Sequence, residues 1–395
     1  MHNAELHSAL LQKFAAQYGG APDFVAYAPG RIEVLGNHTD YNEGFVLSAA
    51  IQHGTFFAIR RGQKDHCRLT AGDLMKEDTF APVDPGKTTV NTWANYVRGV
   101  LHGINQASGA VPFSGDTPSC FDALFFGNIP LGSGLSSSAA LEMSAGLAIA
   151  KLYNRQFTPI QLAKIGQAAE HHFAGCKCGL LDQLSSLHGR DGHLIKTDFR
   201  SLVVDNSIQF GDACFLMCNT HAKHALVDGE YNRRRQACED AAAYFAKVLP
   251  HPVAALRDVS VAEFNQHKAG LDPTTAKRAS HPITENERVL QGADALARGD
   301  LVAFGKLMFL SHESSRVDFE NSCPELDTIV DAAKSTPGAL GARLSGGGFG
   351  GSVVVLATTA DAPAVSKALA DAYAKKYGKP CDVRVIQPSD GARLV

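Results

Sequence analysis

Hydrophobic positions along this chain fall either into helical spacings or into short β-prone runs. Leu6, Leu10, Leu11 and Phe14 recur at helical intervals among charged residues, which predicts an amphipathic N-terminal helix. Residues 24–28 and 31–35 read as two short strands broken by Pro29-Gly30, and 54–60 as another. Trp93, Tyr96, Val97, Val100, Leu101 and Ile104 line one face of a helix over 92–106. A strand over 122–128 runs into Pro130 and a glycine–serine loop. An Ala-, Leu- and Met-rich helix over 136–153 follows, then a second over 159–173. The second half opens with a strand at 213–218 and a long helix over 231–249. Further helical patterns fall at 285–299, 301–312 and 325–335, before a strand–helix–strand set at 352–358, 361–377 and 381–387. The stretch 250–284, with its Pro and His residues, is the least regular. Strands and helices alternate imperfectly and nothing repeats, so the pattern predicts two α+β domains over a doubly wound sheet.

Composition narrows the class. At about 100–200 residues per domain, 395 residues favour two domains. A net charge of −3 excludes a generalised basic surface for nucleic acid or anionic lipid. No run of 18 apolar residues is present, so no membrane span is expected. The N-terminal helix lacks the uninterrupted apolar core of a secretory signal. Nine cysteines, an odd number without a disulfide ladder, read as reduced thiols of a cytoplasmic protein. His171-His172 followed by Cys176 and Cys178 invites a zinc reading. Cys-x-Cys has one intervening residue and no second ligand pair follows, so these are expected to be structural.

Most of the 37 glycines read as ordinary turn residues, but three clusters stand out. In the first, alternation puts Ile32 and Val34 on one strand face and Arg31 and Glu33 on the other. The polar segment Asn37-His38-Thr39-Asp40-Tyr41-Asn42 then suits a site that reads hydroxyl groups, although a polar turn with capping residues reads the same way. The second, Gly132-Ser133-Gly134-Leu135-Ser136-Ser137-Ser138, lies between a strand and a helix. That is the layout of a phosphate cradle, with backbone N–H groups and a helix N-terminus facing an anion. It lacks the Gly-Lys-Ser/Thr of a Walker loop, and Ser137 replaces the third glycine of a dinucleotide fingerprint. The third, Gly346-Gly347-Gly348-Phe349-Gly350-Gly351, formally contains that fingerprint. A strand follows it where a helix is required, so the glycines instead let backbone pass close to a ligand or another loop. Tyr231 opens a helix with Arg233-Arg234-Arg235. Successive residues point around a helix and Arg235 has Glu239 at i,i+4, so a solvated face is expected, not a nucleic-acid stripe.

Taken in order, these segments resemble the galactokinase family of the GHMP small-molecule kinase superfamily. Trp93-Ala94-Asn95-Tyr96-Val97, Ala169-Glu170-His171-His172-Phe173-Ala174-Gly175, Cys178-Gly179-Leu180-Leu181-Asp182-Gln183, Glu230-Tyr231-Asn232 and Ser322-Cys323-Pro324-Glu325-Leu326-Asp327 agree as well. The resemblance runs from about residue 24 to the final strand. It implies a two-domain GHMP kinase fold with the active site between domains: a ribosomal-protein-S5-like domain over 1–195 and a ferredoxin-like-type domain over 196–395. The implied activity is ATP-dependent phosphorylation of galactose at its anomeric C1 hydroxyl, giving galactose 1-phosphate and ADP. Asp182 matches the catalytic aspartate and Arg31 its partner; Ser138 and Glu170 match the Mg2+ ligands. Asn37, His38, Asp40, Gly179 and Tyr231 match the sugar contacts. Trp93, Tyr96 and the loop Gly132, Ser133, Gly134, Leu135, Ser136, Ser137 and Ser138 match the nucleotide contacts. Small-molecule sugar and ATP are the implied partners, with no nucleic acid, membrane or obligate protein partner.

Those roles suit the chemistry. Phosphoryl transfer is mostly positioning and charge stabilisation. A serine hydroxyl and a glutamate are the hard donors that Mg2+ takes, and an aspartate beside an arginine stays ionised to accept a hydroxyl proton. The chain departs from the family pattern in one pair. Galactokinases usually carry Glu where this chain has Asn37 and Asn where it has Glu33. An amide tolerates a C6 carboxylate, or a missing C6 hydroxyl, better than a carboxylate does. Galacturonate, fucose and arabinose therefore stand beside galactose as candidate sugars, unless Asn37 still bonds the hydroxyl or Glu33 takes over the acidic role. A non-catalytic sugar and ATP sensor on the same fold is the other alternative; the presence of Arg31, Ser138, Glu170 and Asp182 argues against it.

Overall fold

The computed structural model describes residues 2–62, 65–107, 120–130, 133–176, 178–223 and 227–395. The first sheet holds β1 (Phe24–Leu35), β2 (Phe45–Arg61), β3 (Cys67–Ala71), β4 (Lys76–Phe80), β5 (Phe121–Gly127), β6 (His193–Asp198) and β7 (Val203–Gln209). The second holds β8 (Ala213–Lys223), β9 (Ala339–Ser345), β10 (Gly350–Thr358) and β11 (Asp382–Ile386). A last short strand, β12 (Arg393–Leu394), returns to pair with β1 at the edge of the first sheet. A boundary at 195 would cut β6, and strand pairing carries the first sheet to Gln209.

Residues 24–35 form one strand where two were expected. Pro29-Gly30 causes only a register shift against β2, because the loop after β5 passes over this point. Arg31 N–H donates to Leu135 O at 3.1 Å, and a Cβ on Gly30 would stand 2.4 Å from that oxygen. Alternation then sorts the first sheet's residues by face. Ala26, Phe57, Ile59 and Ala123 pack on helices Asn95–Ala107 and Ser137–Leu152. Val25, Tyr27, Phe56 and Ala58 take up Leu6, Leu10 and Phe14 of the predicted N-terminal helix, Asn3–Tyr18.

The second sheet is antiparallel throughout, in the order β11-β8-β10-β9. Its chain order is strand, helices, strand, strand, helix, strand, which is the ferredoxin-like arrangement. One face packs on helices Pro324–Ser335 and Ala362–Tyr377. Phe215, Met217, Val354 and Leu356 of the other face join Ile32, Val34 and Leu47 of the first sheet in a shared core. Several elements escaped the hydrophobic pattern, helix Leu181–His188 and β6 among them, and two others have a clear cause. Helix Pro273–Ala297 starts well before 285, since Asp272 caps it through the N–H groups of Thr274 and Thr275 while Pro282 hides its first turns. β9 carries Gly341 and a fully buried Arg343, which do not read as a strand.

Candidate active site

Where the shared core ends, Arg31 and Glu33 face a cavity of about 570 Å³ on the side of β1 opposite Ile32 and Val34. Asn37, His38, Asp40, Gly179, Asp182 and Tyr231 line it too, so the expected sugar contacts and both expected catalytic residues converge. Gly346 and Gly347 close the cavity from the β9–β10 turn.

Arg31 ties the catalytic end together. Its Nε donates to Asp182 Oδ1 at 2.7 Å, its Nη2 lies 2.6 Å from the same oxygen, and its Nη1 donates to Gly134 O at 2.7 Å. Asp182 sits in the first turn of helix Leu181–His188 and also accepts from the Ser136 hydroxyl. Ser136, with φ at 56°, turns the loop into helix Ser137–Leu152. Leu135 contributes backbone, because its side chain is buried in the shared core. Ser133 O accepts from Ser352 Oγ at 2.9 Å, a bond between the two halves. Gly132 lies outside the described residues.

Ser138 stands beside Glu170, near enough for its hydroxyl to hold the carboxyl down. Glu170 is buried where helix Pro159–Ala169 widens into a π turn, Glu170–Ala174. Burial and the charge of Asp182 push its carboxyl up, against the Ser138 hydroxyl. A third carboxyl lies behind. Glu142, on the helix that Ser137 begins, is fully buried and accepts from Gln183 Nε2 at 2.9 Å. Burial, then the charges of Glu170 and Asp182, raise it well above its ordinary value, which favours the protonated form. Tyr96 lies near this end, and neither it nor Trp93 lines the cavity. The Trp93 ring is 5.7 Å from that of Phe125, and Tyr96 is pushed up to about 12 by burial and by Glu170 and Glu142.

The sugar end is bonded from both halves. Asn37 Nδ2 donates to Glu33 Oε1 at 2.9 Å and to Gly346 O at 2.8 Å, while its Oδ1 accepts from Asn321 Nδ2 at 3.2 Å. Glu33 Oε1 also takes Arg343 Nη1 at 3.1 Å. His38 packs between Phe319 and Tyr231, and burial followed by repulsion from His281 lowers it to about 3, so its ring is neutral. Asp40 is raised to about 6 by desolvation and then by the charge of Glu33. A Cβ at position 179 would stand 2.2 Å from Asp40 Oδ2, so only glycine fits beside this carboxyl. Sequence reasoning missed Asn321, Arg343 and Glu285, which accepts Gly36 N–H at 2.9 Å. It also misread Arg234. Arg233 and Arg235 are exposed as expected, but Arg234 points inward, donates to Phe319 O at 2.8 Å and Glu320 O at 2.7 Å, and lies over the Phe349 ring.

Known proteins share the sequence pattern and the fold. A model described as the galactokinase galactose-binding signature matches residues 12–61, the GHMP kinase N-terminal domain matches 95–190 and the GHMP kinase C-terminal model matches 293–375. A galactokinase of Pasteurella multocida (strain Pm70) is 41% identical over 388 residues, covering 96% of this chain and 97% of that protein. The chain belongs to the galactokinase family. A crystal structure of the Lactococcus lactis galactokinase complexed with galactose superposes with a TM-score of 0.90 at 31% identity, covering 98% of this chain and all of that one. A mevalonate kinase structure, at 18% identity and a TM-score of 0.61, shares the two-domain GHMP fold. Within that family fold, the glycine run at 346–351 feeds β10, not a helix, as expected. Gly346 O and Gly347 O serve as acceptors for Asn37 and Asn321. No helix among the described residues is long and apolar enough to cross a membrane, and all nine cysteines are free thiols.

Proposed function

We propose that this protein is an ATP-dependent kinase that phosphorylates the C1 hydroxyl of galactose, giving galactose 1-phosphate and ADP. The observation that carries this reading is the Arg31–Asp182–Ser136 knot, which joins the sugar cavity to the glycine–serine loop at the head of helix Ser137–Leu152. A sugar hydroxyl beside Asp182 gives its proton to the carboxylate, or is oriented by it, and attacks the terminal phosphoryl group. Arg31 offsets the charge that builds on the transferred group, and the N–H groups of the loop hold the nucleotide's phosphates. Trp93 and Tyr96 are assigned to the base.

Ser138 and Glu170 would hold Mg2+. A hydroxyl and a carboxylate are hard oxygen donors, and Glu170 is buried near the charge of Asp182, a setting that favours a dication. Bound with the nucleotide, the ion neutralises phosphate charge. Glu33 supports galactose over sugars altered at C6. It stands in the cavity bonded to Asn37, so the carboxylate–amide pair of the family is kept with its two positions exchanged. The reading includes a cytoplasmic location, supported by the nine free thiols.

A panel of galactose, galacturonate, fucose and arabinose, read out by ADP release and by the position of the phosphate, tests the assignment. Galactose is expected to be preferred and to be modified at C1. A preference for galacturonate would move the substrate to a C6 acid, and binding of sugar and ATP without turnover would make the protein a sensor.

A further inference from the structure

The π turn that carries Glu170 ends at Gly175, whose φ of 83° turns the chain back on itself. Cys176 N–H thereby reaches Glu170 O at 3.0 Å. The carbonyl of Cys178 is anchored in turn, 2.7 Å from His171 Nε2 and 3.2 Å from Gln167 Nε2. Cys176 Sγ, Cys178 Sγ and a carboxylate oxygen of Glu170 consequently lie within 4.8 Å of one another. Both cysteines line the cavity; Cys176 is exposed and Cys178 half-buried. Tetrahedral zinc with Zn–S near 2.3 Å has ligand-to-ligand edges of about 3.8 Å, so modest side-chain rotations close these three around one ion, with water in fourth place.

We propose that Cys176, Cys178 and Glu170 form a site for a thiophilic divalent cation of the Zn2+ class. Its occupation draws Glu170 away from Ser138 and so lowers kinase activity. The site stands on the geometry of the three ligand atoms; only the effect on activity rests on the reading of Glu170 as a magnesium ligand. Thiolates select soft and borderline cations while Mg2+ prefers oxygen, so the two ions sort by softness on either side of one carboxylate. Binding releases the two thiol protons to solvent. Cys-x-Cys spacing without a second pair argued against a metal. The third ligand comes from the preceding turn, where spacing along the chain does not reveal it.

Titration with Co2+ alone should produce a near-ultraviolet thiolate-to-cobalt charge-transfer band that Zn2+ abolishes. Cys176→Ser and Cys178→Ser should each weaken zinc binding, measured against a chromophoric chelator, by more than the about 10–100-fold typical of outer-shell losses. The double variant should lose the band, and Glu170→Gln should weaken binding while keeping it. In the kinase assay, added Mg2+ should relieve zinc inhibition, and each cysteine variant, referred to its own zinc-free rate, should need more zinc for the same inhibition. A cobalt complex without the thiolate band, or unchanged zinc affinity in the double variant, overturns the site. A thiolate band with inhibition indifferent to Mg2+ leaves the site standing and overturns both the shared carboxylate and Glu170 as the magnesium ligand.

Discussion

The two ends of the cavity differ in how their charges are balanced. At the sugar end, Glu33 meets Arg343 and Asn37, Glu285 meets Arg288 and Gly36, and His38 is held neutral. At the phosphate end, three carboxyls gather: Asp182, Glu170 and Glu142. Among the described residues, Arg31 is the one side chain that forms an ion pair with any of them. The sugar end is thus already organised as a receptor, with polar groups committed to one another before a ligand arrives. The phosphate end concentrates carboxyls, two of them pushed up toward their protonated forms, which suits a group that waits for a cation-bound, strongly anionic co-substrate. Substitutions at the two ends should therefore fail in different ways.

The sharpest break between the ends is expected at Asp182. Asp182→Asn keeps the shape and the Ser136 contact but removes the carboxylate proposed to face the reacting hydroxyl. kcat should fall by about 10²–10⁴-fold, the range for a positioned base. Galactose affinity measured calorimetrically should change little, because the sugar end does not depend on Asp182. Near-normal turnover would show that the carboxylate is unnecessary. A large loss of sugar affinity would show that the two ends are not separable.

How far each end was legible in the sequence follows the same division. The catalytic end is built from short-range grammar: the Arg31/Glu33 alternation in β1, a glycine–serine loop before a helix, and an aspartate opening the next helix but one. Local signals single out the strand and the loop, whereas Asp182 and Ser138 enter through the family resemblance; the structure brings Arg31, Ser136 and Asp182 into one bonded group. The sugar end is completed by Asn321, Arg343 and Glu285, whose partners Asn37, Glu33 and Gly36 lie in the other half of the chain. No local pattern encodes such pairs. β9 was missed for the same reason, since Arg343 is polar by composition and becomes a core residue through Glu33 and Ser311. Arg234 shows the limit of helical-face reasoning: three successive arginines do point around the helix, and the middle one points inward.

Glu142 tests whether the crowded end is held by neutral or by charged groups. Its Oε1 and the Oε1 of Gln183 are both buried without a partner, although the two side chains already share one bond. A proton on Glu142 gives it an O–H to donate, and Gln183 Oε1 is the acceptor that needs one. Glu142→Gln reproduces this pairing with an amide and should leave kcat and the unfolding midpoint close to wild type. Glu142→Ala strands the Gln183 amide beside Asp182 and should cost about 1–3 kcal/mol of stability in denaturant unfolding. Equal damage in both variants would show that Glu142 acts as an anion.

The smallest expected effect returns to the sugar end, at Asp40, the acid there that titrates near neutrality. Desolvation, then the charge of Glu33 and, more weakly, of Asp182, lifts its carboxyl to about 6. The ionised form accepts hydroxyl protons on both oxygens in charge-assisted bonds, whereas the protonated form loses acceptor capacity and presents a donor. Because the pKa is raised, the accepting form dominates above pH 6 and is lost as pH falls through it. KM for galactose should therefore be flat above neutrality and rise about tenfold by pH 5, one unit below the midpoint. kcat at saturating sugar should move less. Asp40→Asn should flatten this limb and hold KM near its acid value at every pH. If KM rises toward acid equally in the variant, the titrating group is not Asp40.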